Sequence, residues 1–183
     1  MIAGTARGRR LRAVPGDTTR PITDRTKESL FNIIGPDIQD STFLDLFAGT
    51  GAVGIEALSR GANFVRFIDI HRRAIDTVQS NLEITGVAEN GEAVQAQVIH
   101  IDAFSYLKTV IDRPFDYIYI APPQYKEMWK KALLSLNANP DWISKYGWVI
   151  VQIDPVEYEP MSLEHFSEFD QRKYGSTLLV FYN

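Results

Sequence analysis

The stretch Thr42-Phe43-Leu44-Asp45-Leu46-Phe47-Ala48-Gly49-Thr50-Gly51-Ala52-Val53-Gly54 decides the fold. It begins as an apolar run rich in strand-forming residues, reaches a carboxylate and then turns on glycines. The apolar residues that follow recur with the spacing of a helix. The stretch therefore predicts a strand, a tight loop and the N-terminus of a helix, where free backbone N–H groups face a ligand.

The glycine loop alone does not choose a cofactor, because Gly49-x-Gly51-x-x-Gly54 also matches the dinucleotide-binding fingerprint. Asp45 stands just before the glycines, where its charge would oppose a pyrophosphate but suit a ligand that carries an ammonium and a sulfonium. Asp69 ends the second apolar run, at the place from which an acid accepts hydrogen bonds from ribose hydroxyls. Asp102 ends the third run and could receive an adenine amino group.

A simpler interpretation is that these acids only cap helices at strand ends. That interpretation suits one acid better than three acids that follow three consecutive apolar runs. We therefore predict S-adenosylmethionine as the cofactor. The predicted cofactor-binding residues are Asp45, Gly49, Thr50, Gly51, Asp69, Ile70, Asp102 and Ala103.

The composition limits the class of protein. The 183 residues are enough for one domain with a substantial core, and 45% of them are hydrophobic. No segment has the length and apolarity of a membrane span, and arginines interrupt the start of the chain where a secretory signal would be apolar. Cys is absent and the three histidines are scattered, so we expect a cytoplasmic protein without a metal site.

The charge is unevenly distributed. Residues 1–27 hold seven basic and two acidic residues, a net charge of +5, which leaves −9 for the rest of a chain whose total is −4. A basic arm on an acidic body indicates a phosphate-binding surface, whereas the alternative is a solvated, partly disordered terminus. The candidate RNA contacts are Arg7, Arg9, Arg10, Arg12, Arg20 and Arg25.

Two regions are predicted. Residues 1–22 form a basic arm or small hairpin, with a turn at Pro15-Gly16-Asp17, and residues 23–183 form the main domain. A helix is predicted from Thr23-Asp24 to Gly35-Pro36, and we expect it to pack on the edge of the sheet and to carry the arm.

From residue 43 onward strands and helices alternate, as is typical of a doubly wound parallel sheet. The predicted strands are 43–47, 64–69, 98–102, 115–120 and 148–153, and the predicted helices are 53–59, 73–84, 104–110 and 126–136. A short helical pattern lies within 155–168, and a terminal hairpin is predicted from 169–174 and 177–182. The prediction is an α/β, Rossmann-like, mostly parallel seven-stranded sheet with an antiparallel C-terminal hairpin. We expect the ligand at the carboxyl ends of strands one to four.

The segment Ala121-Pro122-Pro123-Gln124-Tyr125 follows the fourth strand. Its prolines fix φ and remove two N–H donors, so the nearby carbonyls keep fixed directions. A tyrosine ring can stack on a nucleobase, a contact worth ~1–3 kcal/mol. The segment suits methylation of an exocyclic amine, whose growing positive charge needs hydrogen-bond acceptors. The alternative is an ordinary strand-exit turn; the predicted catalytic residues are Ala121, Pro122, Pro123 and Tyr125.

Over essentially its whole length the chain resembles the RsmD-type family of bacterial small-subunit rRNA guanine-N2 methyltransferases. The similar segments near the start are Ile2-Ala3-Gly4, Arg7-Gly8-Arg9 and Leu11, then Arg20-Pro21-Ile22-Thr23-Asp24-Arg25 before Glu28-Ser29-Leu30-Phe31-Asn32. The others are Asp45-Leu46-Phe47-Ala48-Gly49-Thr50-Gly51 and Gly54-Ile55-Glu56-Ala57-Leu58-Ser59-Arg60-Gly61-Ala62. The Arg-Pro-x-Thr-Asp-Arg segment makes the resemblance specific, since the glycine stretch alone indicates only a Rossmann-like methyltransferase.

The resemblance implies a class I S-adenosylmethionine-dependent methyltransferase in which Gly49, Thr50, Gly51, Asp69 and Asp102 hold the cofactor. It also implies that residues 121–125 receive a flipped base. Members of the family usually carry Asp or Asn where this chain has Ala121, which puts the substrate and the rate in question. The implied partner is small-subunit rRNA or its assembly intermediate, without a membrane; no oligomeric state is predicted.

Two other functions fit the sequence. A non-catalytic RNA-binding or ribosome-assembly module could keep the fold and the basic arm after losing an acid at position 121. An adenine-N6 DNA methyltransferase could use the same proline-rich segment, although no additional DNA-reading domain is evident.

Overall fold

A computed structural model describes residues 1–16, 22–88, 95–124 and 126–183, and seven strands form one sheet within them. The strands are β1 Thr42–Asp45, β2 Phe64–Asp69, β3 Ala96–His100, β4 Phe115–Ile120, β5 Ile143–Ile153, β6 Glu168–Tyr174 and β7 Thr177–Tyr182. Their order across the sheet is β3-β2-β1-β4-β5-β7-β6. The pairs among β1 to β5 are parallel, and β7 pairs antiparallel with both β5 and β6. The predicted mostly parallel sheet and its antiparallel hairpin are confirmed.

The helices cover both faces of the sheet. They are α1 Asp24–Ile34, α2 Ala52–Ser59, α3 Arg72–Thr85, α4 Ala103–Tyr106 and α5 Met128–Ala138, with 3₁₀ turns at Gly35–Ile38, Pro140–Trp142 and Pro155–Glu157. Apolar residues of α1, α2 and α3 fill the core on one face. Apolar residues of α4 and α5 fill the core on the other face. None of the helices in the described ranges has the length and apolarity to cross a membrane.

Helix α1 begins and ends where the sequence predicts. The Thr23 side chain caps its N-terminus by accepting a hydrogen bond from the Thr26 amide, and Gly35 ends it at φ +68°. The prediction that α1 packs on the sheet edge is wrong. The Phe31 ring lies 6.5 Å from the ring of Phe43 in β1, a strand in the interior of the sheet, because the apolar face of α1 requires a buried surface.

The described part of the predicted N-terminal arm, residues 1–16, is turn-rich and contains no strand. Helix α2 holds it, rather than α1 as we expected. The buried Glu56 carboxylate accepts hydrogen bonds from the backbone amides of Ile2 and Ala3, at 3.0 and 2.9 Å. The Ser59 hydroxyl accepts one from the amide of Ala6 at 2.9 Å and donates one to the carbonyl of Ala3. The arm is therefore part of the packed structure.

The predicted turn at Pro15-Gly16 is present, with Gly16 at φ +72°, whereas Asp17 and Arg20 lie outside the described residues. Strand β5 begins at Ile143, five residues before the predicted start, after which its pairing with β4 shifts register between Phe115 and Tyr117. Gly147 lies at that irregularity, where a Cβ would come within 2.8 Å of the Asp116 carbonyl oxygen. Apolar periodicity did not reveal this part of β5, because the irregular pairing interrupts the alternation.

Candidate active site

A cleft of about 1100 Å³ opens at the carboxyl ends of the parallel strands, where we expected the ligand. Its walls come from the N-terminal arm, the glycine loop, the ends of β2 and β4, and β5. Among its lining residues are Ala13, Gly16, Asp45, Gly49, Thr50, Asp69, Ile70, Arg73, Asp102, Ala103, Tyr119, Ala121, Pro122, Pro123, Gln124, Lys126 and Gln152. The structure thus brings most of the predicted cofactor residues and the described part of 121–125 into one cavity.

The three glycines of the loop have different environments. Gly49 lines the cleft at φ +54°, and a Cβ built there would meet nothing within 4 Å. A Cβ on Gly51 would lie 3.2 Å from Ile55 and Val78, and one on Gly54 would lie 2.3 Å from the Phe67 ring. Gly49 therefore gives a ligand close access to the backbone, whereas Gly51 and Gly54 permit α2 to pack on its neighbours. Gly51 is not among the lining residues.

Asp45 is buried at the end of β1, with only 2% of its surface exposed. Burial raises the pKa of its carboxyl group from 3.8 to about 7, the hydrogen bond from the Gly54 amide lowers it, and nearby Asp69 raises it. That hydrogen bond reaches Asp45 Oδ2 at 3.3 Å. A cationic ligand would favour the charged form, so the site is chemically suited to an ammonium or a sulfonium.

Asp69, at the end of β2, organises the loop beside it. Its Oδ2 accepts a hydrogen bond from the Gly49 amide at 2.9 Å, and its Oδ1 accepts one from the His71 amide at 2.8 Å. A carboxylate oxygen has two acceptor positions, so both oxygens retain capacity for ligand hydroxyls. Ile70 follows with 55% of its surface exposed, an apolar side chain at the cleft that could contact an aromatic ring of a ligand.

Asp102 fits both roles considered for the acids, ligand binding and helix capping. It lines the cleft, and it also caps α4, since its Oδ2 accepts hydrogen bonds from the Ser105 amide at 2.9 Å and from the Ser105 hydroxyl at 3.1 Å. Ala103, the first residue of α4, lines the cleft beside it.

Ala121, Pro122, Pro123 and Gln124 line the far wall of the cleft, beyond β4. Tyr125, the predicted stacking residue, lies outside the described residues. The side chains of this wall, as far as residue 124, provide one polar group, the amide of Gln124, which is exposed.

Several residues of the cleft were not predicted from the sequence, among them Tyr119 and Gln152. The Tyr119 hydroxyl donates a hydrogen bond of 2.5 Å to Gln152 Oε1, across the β4–β5 pair. Burial, with the nearby Asp45 carboxyl group, raises the pKa of Tyr119 well above 10.0, so its hydroxyl stays protonated. The signal in the sequence was a polar residue, Gln152, inside the otherwise apolar run 148–153.

The arginines of the arm are exposed, as is Arg25 on α1, whereas Arg20 lies outside the described residues. Two of them also contact α3. Arg9 Nη1 donates to the Ile84 carbonyl at 2.8 Å, and Arg12 Nη1 donates to the Ser80 hydroxyl at 2.9 Å. The guanidinium groups of Arg7 and Arg10 form neither a hydrogen bond nor an ion pair within the described ranges. Arg73 and Lys126 add positive charge at the cleft itself.

Buried Asn81 of α3 joins the arm to the glycine loop. Its Oδ1 accepts a hydrogen bond from the Arg12 amide at 2.7 Å. Its Nδ2 donates to the Arg12 carbonyl at 3.1 Å and to the Thr50 carbonyl at 2.9 Å. One side chain therefore fixes the predicted RNA-binding arm against the predicted cofactor loop. A group of three or more side chains able to hold a metal ion is not found in the part of the chain that the structure describes.

The fold, with its cleft at the carboxyl edge, defines the class of protein: a Rossmann-like class I methyltransferase. A solved structure titled "Putative methyltransferase yhhF from Escherichia coli" has a TM-score of 0.83 and 29% identity, covering 99% of this chain and 94% of that one. A family model described as "Conserved hypothetical protein 95" matches residues 1–183, and the chain belongs to this family.

Named relatives agree with this assignment. "Putative rRNA methyltransferase YlbH" of Bacillus subtilis is 39% identical over 184 residues, covering 100% of this chain and 97% of the relative. "Ribosomal RNA small subunit methyltransferase D" of Haemophilus influenzae is 34% identical over 155 residues, covering 84% of this chain and 78% of the relative. The resemblance to the RsmD-type family is confirmed.

Proposed function

We propose that the chain is an S-adenosylmethionine-dependent methyltransferase that acts on the exocyclic N2 amine of a guanine in small-subunit rRNA, in the cytoplasm. One observation carries the proposal. A single cleft is lined both by the acids and the glycine loop at the ends of β1 and β2 and by Pro122 and Pro123 after β4. The names of the relatives supply the rRNA substrate, and the choice of guanine N2 follows from the resemblance of the sequence.

The residues of the first half fit the cofactor. Gly49 allows close approach of the ligand to the backbone, Asp69 keeps acceptor capacity for ribose hydroxyls, and Asp45 offers a carboxyl group that a nearby cation would ionise. Asp102 would accept from the adenine amine, and Ile70 would contact the adenine ring. When bound, the cofactor supplies a methyl carbon that bonds to the amine nitrogen as its bond to sulfur breaks, with the electron pair leaving on sulfur.

The second half would hold the base. The backbone at Pro122 and Pro123 is restricted by the two rings, so its carbonyls are preorganised acceptors. The amine nitrogen gains positive charge during transfer and then loses a proton to solvent, and acceptors at this wall would stabilise that charge. Tyr125, the next residue along the sequence, would stack on the base.

The test is to incubate the protein with labelled S-adenosylmethionine and unmodified small-subunit rRNA, both free and bound to ribosomal proteins. We expect label at the N2 amine of one guanine. Label on an adenine, or transfer to DNA in preference to rRNA, would replace the guanine assignment with adenine chemistry.

A second function is favoured by one observation, the absence of a side-chain oxygen at position 121. A protein without transfer activity would still bind RNA through the arm and serve in ribosome assembly. RNA binding without transfer to any form of rRNA would establish this alternative.

A further inference from the structure

The first three residues after β4 have side chains without hydrogen-bond acceptors, namely Ala121, Pro122 and Pro123. A nitrogen that becomes positively charged at this wall therefore depends on backbone carbonyls or on a side chain from another element. This inference rests on the proposed amine methylation and asks which side chain completes the site.

The register of the sheet identifies a neighbour. Tyr119 pairs with Ile150 and Ile120 pairs with Val151 in the parallel β4–β5 ladder. If this register continues by one residue beyond the end of β4, position 121 lies beside position 152, about 4.8 Å away across the ladder. Gln152 is still within β5, where it pairs with Leu179 of β7. Gln152 therefore stands on the strand next to the wall that lacks an acceptor.

The alternation of side chains places both residues on one face. Ile120 and Val151 belong to the core covered by α4 and α5, whereas Tyr119 and Ile150 belong to the opposite core. Residues 121 and 152 come next, so their side chains return to the side of Tyr119. Consistent with this, Ala121 packs against the core that contains Tyr119, and both Ala121 and Gln152 line the cleft.

The Gln152 amide is held in place. Tyr119, with 2% of its surface exposed, donates its hydroxyl proton to Gln152 Oε1. An amide oxygen has two acceptor positions, so Oε1 can accept a second hydrogen bond while this one persists. Gln124, the other amide at this wall, is exposed on a loop and has no comparable support from a strand. A preorganised acceptor needs the rigidity that β5 provides.

We propose that Gln152 Oε1 is the side-chain acceptor for the target amine, and that Tyr119 is a positioning residue that fixes its orientation. Gln152 is then a catalytic residue of the transfer step. An acceptor introduced at 121 would lie beside Gln152 and would substitute for it.

The test compares four proteins: wild type, Gln152→Ala, Ala121→Asn and the double variant. Single-turnover methylation of rRNA is measured at saturating cofactor. We expect Gln152→Ala to slow the wild type by ~10²–10³-fold, and to slow the Ala121→Asn protein by less than ~10-fold, because the amide introduced at position 121 supplies a replacement oxygen. Tyr119→Phe should reduce the rate less than Gln152→Ala. Gln171→Ala, at an exposed glutamine of β6 that does not line the cleft, is the matched control and should change the rate little.

Calorimetry of S-adenosylmethionine binding and thermal unfolding are the second readouts. We expect the cofactor affinity to be the same in all variants at positions 121 and 152, and the melting temperature of Gln152→Ala to fall, because the buried Tyr119 hydroxyl loses its partner. If Gln152→Ala reduces the single-turnover rate equally in the wild type and in the Ala121→Asn protein, or reduces it in neither, the assignment of Gln152 is overturned. Loss of cofactor affinity or of folding in Gln152→Ala would also overturn it, in favour of a structural role. A wild type that transfers no methyl group to any rRNA would instead refute the proposed function, and this inference with it.

Discussion

The buried carboxyl group of Asp45 predicts a pH dependence of cofactor binding. Its pKa is about 7, so the proton must leave when a cationic ligand binds at lower pH. Between about pH 5.5 and 7, where the ligand amine stays charged, the association constant should rise by up to ~10-fold per pH unit. Calorimetry across this range should show the rise in wild type and a flat, weaker profile in Asp45→Asn. An unchanged slope in the variant would assign the proton to another group.

The same carboxyl group affects the stability of the cofactor-free protein. The folded state holds the proton up to about pH 7, whereas the unfolded state releases it near 3.8. Because the folded state binds more protons in that range, this group lowers the free energy of unfolding as pH rises from about 4 to 7. Urea unfolding of wild type and Asp45→Asn should therefore diverge with increasing pH, in favour of the variant.

Replacement of Asp69 should weaken the binding of S-adenosylmethionine without unfolding the protein. Asp69→Ala removes the proposed ribose acceptor and the two hydrogen bonds to the Gly49 and His71 amides. Binding of S-adenosylmethionine should weaken by ~1–3 kcal/mol. Titration calorimetry on Asp69→Ala and on Asp69→Asn, which retains one acceptor oxygen, measures the effect. Binding of NAD in place of S-adenosylmethionine by the wild type would show that the cofactor is wrongly assigned.

At the scale of single residues, position in the sequence located the acids but not their partners. Asp45, Asp69 and Asp102 all line the cleft, because carboxyl ends of parallel strands meet at one edge. Tyr119 and Gln152 meet only through the β4–β5 register, which apolar patterning does not specify. Gly51 could not be distinguished from Gly49, since only the packing of α2 and α3 separates their environments.

At the scale of elements, two arginines of the arm are available for phosphate contact, and two others also attach the arm to α3. The side chains of Arg7 and Arg10 are exposed, whereas those of Arg9 and Arg12 also bind α3. Replacing Arg7 and Arg10 by Ala should reduce the log–log salt slope of RNA affinity by up to ~0.9 for each duplex phosphate that is no longer neutralised, with cofactor affinity unchanged. The Arg9/Arg12 double variant should in addition lower the melting temperature. An unaltered salt slope in both proteins would mean that the arm is a solvated surface only.

Because Asn81 hydrogen-bonds to both the arm and the glycine loop, one substitution at this position should affect both cofactor binding and RNA binding. Asn81→Ala leaves the Arg12 and Thr50 backbone groups without their partner, at a cost of ~1–3 kcal/mol in stability. Cofactor and RNA affinity should both fall, as measured by calorimetry and by filter binding. Ser80→Ala, at the preceding residue of α3, removes only one hydrogen bond of Arg12 and is the control. Weakening of one affinity alone would show that the two sites are independent.

The elements themselves were largely predictable, since β2 and β4 have the predicted bounds and α1 has the predicted ends. Strand β1 ends at Asp45, two residues early, although the Leu46 amide still bonds to the Tyr119 carbonyl at 3.0 Å. The sequence did not predict where α1 and the arm pack on the rest of the protein. Local periodicity shows that α1 has an apolar face but not which surface receives it, and it gives no sign that Glu56 holds the arm.

At the scale of the whole molecule, cofactor binding should stabilise the complete fold, because the cleft is built from the arm and from β1, β2, β4 and β5. A ligand at 100 times its dissociation constant adds about 2.7 kcal/mol. Thermal unfolding should show the same cofactor-induced shift in wild type, Ala121→Asp, Ala121→Asn and Tyr125→Ala. A smaller shift in these variants would place residues 121–125 in cofactor binding.

The same variants should differ in single-turnover methylation. We expect an added oxygen at 121 to raise the rate and removal of the Tyr125 ring to lower it, since stacking contributes ~1–3 kcal/mol per base. If both replacements at 121 slow an active wild type, the pocket is adapted to alanine there.

The order of strands in the sheet also has a consequence for synthesis. Strand β7 follows every other strand along the chain, yet it lies between β5 and β6 and is buried. Until the ribosome has made residues 177–182, one side of β5 has no pairing partner, and Ile150 and Val151 lack part of their cover. The N-terminal arm and the strands around the glycine loop are complete much earlier. The nascent chain therefore exposes the unpaired apolar edge of β5 late in translation. Slow translation of the final hairpin would increase aggregation.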